Sequence, residues 1–521
     1  MALTALAVAL HVYYTSKAGG LWRDEANTAA LASMPAISDI WHHLPFESFP
    51  MLWPLIVRLF QSLGCDSDLA LRWLGCFVGL SIVAALWLNA RLLGFSVPLL
   101  SLALLGCNPM VIRSGDSMRA YGVGVVLILL LFALLWKVAT APSPPVVALA
   151  GLVTVASAQA LYHNAALVFA ICVSAAVIAG RKRQWARSLA ILGIGAIAAL
   201  SLVPYLEVIQ RARSWDVVSV REFSPWIFGA RLFEAISAAG NAVGWFWLVL
   251  LLLGMGSAIA TQSRPGDATN DDERQRCLYG VLAIAISVAA SFGFLRLVAY
   301  PTQAWYYLPL LGVLAVAIES SLAVLPLHRA RVPARLVLAI AVVLLSAVPL
   351  WKGLQLRQTN VDLAAAQLRD KATAGDVIMI APWYLGVTLD RYYKGPASKL
   401  TIPPIDDLRV QRYDLLKSQM EAVEPIAPVL GAVERALKAG HRVWIVGGLL
   451  FPPAGKLPPS LAPAPFESFG WDEGAYMSAW TMQAGHFLQQ HALHAEEVPL
   501  ATQAPINSHE TVQLLVVRGW R

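Results

Sequence analysis

Two adjacent acidic residues follow the first apolar run of the sequence. Asp24 and Glu25 come directly after Arg23 in GLWRDEANTAALAS, which follows the run MALTALAVALHVYY after an interval of five residues. A carboxylate at a membrane surface, partly shielded from water, is suited to accept a proton from a hydroxyl group as a general base. The alternative is that both acids cap a helix starting at Ala26, where carboxylates favour the positive helix end. On these residues alone both explanations stay open.

A second charged cluster lies in NPMVIRSGDSMRAYGVG, between two apolar runs. It contains Arg113, Asp116, Arg119 and Tyr121. Charges this close to hydrocarbon are costly unless they are paired or functional. The planar guanidinium of Arg119 is suited to hold a phosphate group. The alternatives are an internal ion pair with Asp116, or extension of Arg113 toward the lipid headgroups.

Weaker candidates lie between and beyond these clusters. Glu47 is a candidate for binding a sugar hydroxyl. Asp66 and Asp68 have the D-x-D spacing that holds a divalent cation on a pyrophosphate, and the alternative is that they cap a helix entering at Leu69. His163 stands alone between two apolar runs, where a histidine is more often structural than a ligand.

Further polar residues are predicted to lie on the same side of the membrane and to line one cavity. They are Tyr162, Asn164, Arg211, Arg213, Arg221, Arg231, Arg296, Tyr300, Gln303, Trp305, Tyr306 and Tyr307. The aromatic residues at 305–307 equally fit an interfacial belt. The sequence contains no Gly-rich phosphate loop with Lys, no HExxH and no GxSxG. Nucleotide hydrolysis, zinc proteolysis and the usual serine hydrolases are therefore disfavoured.

The composition requires that most of the chain faces lipid. Of 521 residues, 58% are hydrophobic and only 14% are charged, whereas globular domains carry about 25% charged residues. A soluble, disordered or collagen-like protein is excluded. The net charge of +7 arises mainly in short gaps between apolar runs, which indicates membrane orientation and not nucleic-acid binding. The five cysteines are scattered, so neither a disulfide framework nor a zinc site is predicted.

About eleven membrane spans are expected at ~20 apolar residues per crossing. They lie near residues 1–17, 71–93, 97–113, 120–138, 147–163, 165–180, 188–205, 242–262, 278–298, 305–325 and 335–352. A cytoplasmic N-terminus places the basic gaps inside, which contain Arg91, Lys137, Arg181, Lys182, Arg183, Arg187, Arg264, Arg274, Arg276, Arg329, Arg331 and Arg335. The polar segments 18–70, 206–241 and 353–521 then lie outside the cytoplasm.

The C-terminal part is predicted to be a separate extracytoplasmic α/β domain. Amphipathic helix patterns near 358–372, 427–439 and 473–492 alternate with the short apolar runs VIMIAP, RVWIVGG and VQLLVV. The predicted division is thus a transmembrane catalytic domain, 1–352, which includes the external loop 18–70, and an α/β domain, 353–521.

Several segments together resemble a known enzyme family. The first external loop opens with WRDEANTAALAS and continues through FESFPMLWPLIVRLF and SDLALRW, and RSGDSMRAYG follows later. This pattern resembles the GT-C superfamily of polyprenyl-phosphate-sugar glycosyltransferases, in particular the bacterial branch related to protein O-mannosyltransferases and the lipid A aminoarabinose transferase. VDLAAAQLRDKATAGDVIMIAPWYLGVTLDRYY is similar to the external domain of many bacterial members.

The resemblance implies a GT-C fold in the bacterial cytoplasmic (inner) membrane and inverting sugar transfer from a lipid phosphate to an envelope lipid, glycan or protein hydroxyl. Asp24 would be the general base, with Glu25 its acidic neighbour. The substrate-binding residues would be Glu47, Arg119, Tyr121, His163, Arg296 and Tyr306. In YPTQAWYYLPL, Gln303 and Trp305 replace an Arg-Tyr pair common in relatives. No cofactor is required, and Asp66 with Asp68 would accommodate a divalent cation.

Two other functions remain as alternatives. A transporter or flippase of lipid-linked sugars would also have many apolar helices with intramembrane charges. The two halves of the sequence show no repeat symmetry, however, and the long external segments exceed what a carrier needs. A scaffold or sensor of the cell envelope would rest on the external domain alone and would leave the acidic loop without a use.

Overall fold

The computed structural model describes residues 1–95, 97–218, 222–262, 268–299, 302–323, 331–453 and 455–521. Four residues from the predictions above lie outside these ranges, namely Arg221, Arg264, Tyr300 and Arg329. The chain divides into two compact units. The first comprises Met1–Lys17, Ser48–Leu206 and Arg221–Gln355, and the second comprises Ala18–Glu47, Glu207–Val220 and Leu356–Arg521.

The helices up to residue 354 belong to the first unit and to the segments 18–47 and 207–220 of the second unit. They are α1 (Ala2–Lys17), α2 (Arg23–Ala32), α3 (Ile37–His43), α4 (Leu52–Ser62), α5 (Asp68–Leu93), α6 (Leu99–Gly106), α7 (Pro109–Gly115), α8 (Tyr121–Thr140), α9 (Pro144–Ala160), α10 (Asn164–Arg181), α11 (Trp185–Leu200), α12 (Tyr205–Ala212), α13 (Pro225–Ile236), α14 (Asn241–Gln262), α15 (Ala268–Val298), α16 (Leu308–Leu322) and α17 (Arg331–Leu354). Short 3₁₀ turns lie at Leu44–Phe46, Asp216–Val218 and Ala304–Tyr307.

The C-terminal part of the second unit mixes helices and strands. Its helices are α18 (Val361–Lys371), α19 (Leu385–Tyr392), α20 (Tyr413–Glu421), α21 (Ala427–Lys438) and α22 (Glu473–His491), and its strands are β1 (Val377–Ala381), β2 (Ser398–Thr401), β3 (Val443–Gly447), β4 (Ala492–Glu497) and β5 (Gln513–Trp520).

The first unit has the helices of a multi-pass membrane protein. Among the described residues, six helices are long and apolar enough to cross a membrane, or eight if each of two bent helix pairs is one crossing. All eleven predicted stretches are largely helical, but the stretch 97–113 is broken between α6 and α7. Helix α1 has only 16 residues. The number of eleven crossings therefore stays a prediction.

Burial within the first unit differs sharply between its helices. Helix α8 is apolar on all sides, as expected of a helix in the interior, and it packs against α5, α9, α10 and α16. In α15, by contrast, only 17% of the 18-residue apolar window within Asp271–Val298 is buried in the protein. Apolar surface this extensive on the outside requires lipid contact.

The second unit is built on a five-stranded sheet with the order β2-β1-β3-β5-β4. Strands β1, β2 and β3 are parallel, and β5 runs antiparallel to both β3 and β4. All residues of β1 and β3 are buried, as expected for central strands covered on both faces. One face packs against α18 and α19. The opposite face packs against α20, α21 and α22.

The sequence patterns place most of these C-terminal elements. The three predicted helices correspond to α18, α21 and α22, and the three apolar runs form β1, β3 and β5. The two edge strands were not predicted. Strand β2 has only four residues, and β4, with the sequence ALHAEE, is exposed at nearly every position, so neither has the apolar signal of a buried strand.

The division of the chain differs from the predicted boundary at 352/353. Residues 18–47, which the prediction assigns to the transmembrane domain, belong to the same unit as 356–521. The reason is a set of long-range hydrogen bonds. The Leu21 N–H donates to the Tyr392 hydroxyl at 2.6 Å, and the Gln358 N–H donates to the Ala18 carbonyl at 2.8 Å.

Candidate active site

Helix α2 of the second unit carries the acidic pair. The helix begins at Arg23, and the Trp22 N–H donates to Glu25 Oε2 at 3.2 Å. Glu25 is 0% exposed. It thus caps the helix in the way that the alternative explanation expects, although three residues earlier than predicted. A catalytic role for Glu25 stays a prediction that this buried position does not favour.

Asp24 differs from its neighbour in being reachable from solvent. Its side chain is 22% exposed. Its Oδ1 atom accepts a hydrogen bond from the Gln411 side-chain amide at 3.1 Å, and Arg23 Nε lies 3.5 Å away. The two acidic residues therefore differ in their surroundings. Glu25 caps the start of the helix, whereas the Asp24 carboxylate is reachable from solvent. A partly exposed, hydrogen-bonded carboxylate is chemically competent to accept a proton.

A closed ring of hydrogen bonds surrounds one face of α2. Glu47 Oε1 accepts from the Asn27 amide at 2.8 Å and from the Thr28 hydroxyl at 2.9 Å. Asn27 Oδ1 accepts from the Gln411 N–H at 2.7 Å, and the Thr28 hydroxyl shares its one proton between Glu47 and the Asp24 carbonyl, which lies 3.0 Å away. The described contacts of Glu47 thus orient α2. Its predicted contact with a sugar hydroxyl stays untested.

Arg23 and the helix N-terminus are held by the C-terminal part of the chain. The Arg23 guanidinium lies 4.4 Å from the ring centre of Tyr384, a cation–π arrangement. The Arg23 N–H donates to Glu510 Oε2 at 2.9 Å. The second carboxyl oxygen of Glu510 accepts from the Thr388 hydroxyl. Glu510 therefore fixes the start of the helix that carries Asp24.

The buried Glu510 makes a pH-dependent contribution to stability. Burial raises the pKa of the Glu510 carboxyl to about 8, against opposing effects of Thr388 and Arg23. The folded protein retains a proton that the unfolded chain releases near the ordinary value of 4.5. Stability therefore falls as pH rises between these two values and is lowest above the folded-state pKa.

We expect Glu510→Gln to remove this pH dependence. The amide is isosteric and stays neutral, so the variant avoids a cost of about 1.4 kcal/mol for each pH unit in this window. Thermal unfolding of both proteins in detergent, followed from about pH 5 to about pH 9, measures the difference. Parallel curves for wild type and variant would show that Glu510 does not titrate with folding.

In the first unit, the turn between α7 and α8 carries Arg119. Asp116 in this turn bonds to His11 of α1, with Nδ1 and Oδ1 at 2.6 Å. The Trp53 indole N–H donates to the Met118 carbonyl at 3.2 Å. Helix α5 has Gly79 at this point, because a Cβ there would lie 1.7 Å from Asp116 Oδ1. These contacts fix the backbone of the turn.

The side chain of Arg119 packs against the segment that precedes α4. Its Nη2 atom donates to the Ser48 hydroxyl at 3.1 Å. Its guanidinium lies 4.7 Å from the ring centre of Phe49. Asp116, the predicted ion-pair partner, instead bonds to His11. The Arg119 guanidinium thus lies over an aromatic ring, and its planar fork is suited to phosphate binding.

Three predicted substrate-binding residues of the first unit come together. The ring centres of Tyr121 and Tyr306 are 5.7 Å apart, and those of His163 and Tyr306 are 6.4 Å apart. A small cavity beside them is lined by His163, Tyr306, Leu167, Leu295 and Leu310. The buried Nε2 atom of His163 has no hydrogen-bond partner among the described residues. The cavity is therefore mainly apolar with one available imidazole nitrogen.

Arg296 does not join this aromatic group through any polar contact. It is exposed near the end of α15 and makes no hydrogen bond or ion pair with a described residue. Its predicted role in substrate binding has no support from its position and stays a prediction.

The predicted D-x-D pair lies at the start of α5. The helix begins at Asp68, and its cap is Ser67, whose hydroxyl accepts from the Ala70 N–H at 3.3 Å. The helix thus starts where the capping alternative expects a helix end, but the capping residue is Ser67 and not Asp66 or Asp68. Within the described ranges, no group of three or more His, Cys, Asp or Glu side chains is arranged to hold a metal ion.

Several solved structures are similar to this one. ArnT from Cupriavidus metallidurans bound to undecaprenyl phosphate has a TM-score of 0.52 at 12% identity, with 85% of this chain and 92% of ArnT covered. The apo form of ArnT has a TM-score of 0.50 at 12% identity, covering 85% and 91%. An Archaeoglobus fulgidus oligosaccharyltransferase tethered to an acceptor peptide has a TM-score of 0.48 at 12% identity, covering 86% and 68%.

No protein-family model matches the sequence, and no curated protein matches it either. The similarity to ArnT at 12% identity shows a common fold. The fold expected from the sequence resemblance is therefore shared with ArnT.

Sequence reasoning missed the residues that hold the acidic helix. Asn27, Tyr384, Gln411 and Glu510 belong to this group. Each is an ordinary residue in its local sequence, and none lies in a charged or apolar pattern that would single it out. Only their spatial contacts with α2 reveal them.

Proposed function

We propose that the protein is an integral membrane inverting glycosyltransferase. It moves a sugar from a polyprenyl-phosphate carrier to an envelope acceptor on the extracytoplasmic side of the bacterial cytoplasmic membrane. The observation that carries this proposal is the partly exposed carboxylate of Asp24 on α2, which accepts a hydrogen bond from Gln411. The chain that carries it has the fold of ArnT. The acceptor is a hydroxyl of a lipid, a glycan or a protein.

The proposed chemistry needs one base and one cationic group. Asp24 removes the proton from the acceptor hydroxyl, whose oxygen attacks the anomeric carbon of the sugar. The bond from that carbon to the phosphate oxygen breaks on the opposite face, so the configuration inverts. The carrier leaves as a phosphate, which is already a good leaving group. Catalysis therefore reduces to positioning, proton removal and charge neutralisation.

Arg119 is the proposed phosphate contact. ArnT has been solved with undecaprenyl phosphate bound, and a lipid monophosphate is the ligand class that we propose for this chain. The guanidinium offers two parallel donors to phosphate oxygens.

Release of the carrier tests this function whichever acceptor the enzyme uses. The purified protein is supplied with a panel of undecaprenyl-phosphate-linked sugars and with envelope extract from a deletion strain of the source organism. Free undecaprenyl phosphate and glycosylated products are measured by mass spectrometry. Release of carrier for at least one sugar, dependent on the extract, supports the proposal.

The same assay separates the enzyme from the alternative transporter. A flippase of lipid-linked sugars would move the intact donor across the bilayer of a proteoliposome and would release no free carrier. An enzyme cleaves the donor in detergent, where no second compartment exists. Donor movement without cleavage would contradict the proposed function.

We expect a metal chelator to leave carrier release unchanged. A monophosphate is neutralised by an arginine fork in this proposal, so the reaction does not depend on a divalent cation. Excess EDTA in the assay, followed by addition of Mg²⁺, measures the effect. A different result would assign a divalent cation to Asp66 and Asp68. In that case EDTA abolishes carrier release, Mg²⁺ restores it in the wild type, and Mg²⁺ does not restore it in Asp66→Asn.

A further inference from the structure

The segment between β2 and α20 meets the face of α2 that carries Asp24. Gln411 in this segment is buried, and it contacts α2 at two points. Its backbone N–H donates to Asn27 Oδ1 at 2.7 Å, and its side-chain amide donates to Asp24 Oδ1 at 3.1 Å. Residues 24 and 27 are one helical turn apart and face the same side. One residue therefore contacts both.

The orientation of the Gln411 amide is fixed by its partners. An ionised carboxylate only accepts hydrogen bonds, so the group that faces Asp24 must be the NH₂ of the amide. The amide oxygen is then on the other side, where the Tyr413 hydroxyl lies 3.3 Å away and donates to it. The two contacts agree on a single orientation.

The backbone around Gln411 is fixed as well. The neighbouring Arg412 bonds to both carboxyl oxygens of Asp414, at 2.8 and 2.6 Å, and to Asp407 at 2.9 Å. Its guanidinium lies 5.3 Å from the ring centre of Phe46. A side chain supported in this way loses little further freedom when it orients a catalytic group.

We propose that Gln411 is a positioning residue for Asp24, and that the C-terminal α/β part of the chain has this task in sugar transfer. The inference rests on the proposed role of Asp24 as the base. With Oδ1 held by the amide, rotation of the carboxylate about its Cβ–Cγ bond is restricted, and the plane in which it receives the acceptor proton is set. An amide does not take up the proton, so it orients the base without competing with it.

Two variants test the proposal at one fixed pH, with undecaprenyl-phosphate-linked sugar as donor and carrier release as the readout. Gln411→Ala removes the donor and keeps the backbone bond to Asn27. We expect kcat to fall about 10- to 100-fold, with KM for the donor within about twofold, since a small displacement of a reacting group has this effect. Gln411→Glu keeps the size and removes the donor, and its charge repels Asp24, so we expect a larger loss than with alanine.

A merely structural role predicts instead that kcat falls only in proportion to a lowered melting temperature, so the melting temperature of each variant is measured in parallel. Gln490→Ala is the matched control, since Gln490 is exposed at the end of α22, and we expect wild-type kcat. A kcat within twofold of wild type for both Gln411 variants would overturn the proposal.

A second measurement needs no substrate. Labelling of Asp24 by a water-soluble carbodiimide and an amine, followed by peptide mass spectrometry, reports how accessible and reactive the carboxylate is. We expect Gln411→Ala to label several times faster than wild type, and equal rates would contradict the contact.

Asp24→Asn separates the two proposals. If that variant keeps full transfer, the assignment of Asp24 as the base fails. If Asp24→Asn is inactive and the Gln411 variants are unaffected, only the positioning role of Gln411 is refuted.

Discussion

Asp24→Asn is expected to abolish sugar transfer while leaving the fold and donor binding intact. Asparagine has the same size, and its side-chain oxygen accepts the Gln411 amide that Asp24 Oδ1 accepts at 3.1 Å. It does not accept a proton from a hydroxyl, however. Loss of a general base lowers the rate about 100- to 10,000-fold. The measurement is kcat from carrier release, together with the Kd for undecaprenyl phosphate.

Asp370→Asn is the matched control for this change. Asp370 is exposed on α18, so the same loss of charge there should leave both kcat and Kd at wild-type values. Asp24→Glu adds a second comparison, because it keeps the carboxylate and moves it by one methylene. Full activity of Asp24→Asn would remove this residue from the mechanism.

Arg119→Ala is expected to weaken the binding of undecaprenyl phosphate. A hydrogen bond to a charged group contributes about 1.5–3 kcal/mol, which corresponds to an increase in Kd of roughly 10- to 150-fold. Arg119→Lys should lie between alanine and wild type. Lysine keeps the charge but lacks the planar fork that stacks 4.7 Å from the Phe49 ring centre. Titration followed by native mass spectrometry gives the three Kd values.

Arg181→Ala controls for the loss of any surface arginine. Arg181 is exposed at the end of α10, and we expect its Kd to match that of wild type. Because Arg119 is buried, the melting temperature of each variant is measured in parallel. A folded Arg119→Ala protein with wild-type affinity would exclude Arg119 as the phosphate contact.

The membrane helices were largely predictable because long apolar runs form helices in lipid. The run YGVGVVLILLLFALLWKVAT identifies α8, for example. The apolar runs that form β1 and β3 were predictable for a similar reason, since buried central strands are apolar throughout. In both cases one segment of sequence contains the whole signal.

Pairings between distant residues were not predictable. Asp116 and Arg119 lie three residues apart, which made a local ion pair a reasonable alternative. The structure instead pairs Asp116 with His11, 105 positions away. Similarly, Arg335 and Glu319 form a buried ion pair, although Arg335 was grouped with the loop residues that set membrane orientation. A single sequence gives no measure of such tertiary contacts.

The acidic pair shows both outcomes in adjacent residues. Local chemistry gave capping as one of two explanations, and Glu25 does cap the helix, although the helix begins at Arg23 and not at Ala26. It did not establish which of the two acids caps, because that depends on where the helix begins. Glu510 helps to determine that point by accepting the Arg23 N–H, and nothing near residue 510 in the sequence indicates this role.

The sequence separation of these contacts has a consequence for biosynthesis. Gln411 follows Asp24 by 387 positions, and Glu510 follows Arg23 by 487 positions. A ribosome that adds about 5–20 residues per second needs roughly 20 to 100 s to cover this distance. Throughout that interval the nascent protein has its acidic helix without the partners that orient it. We therefore expect the proposed glycosyl transfer to begin only after the chain has been synthesised through Glu510, so that no shorter nascent chain consumes lipid-linked sugar.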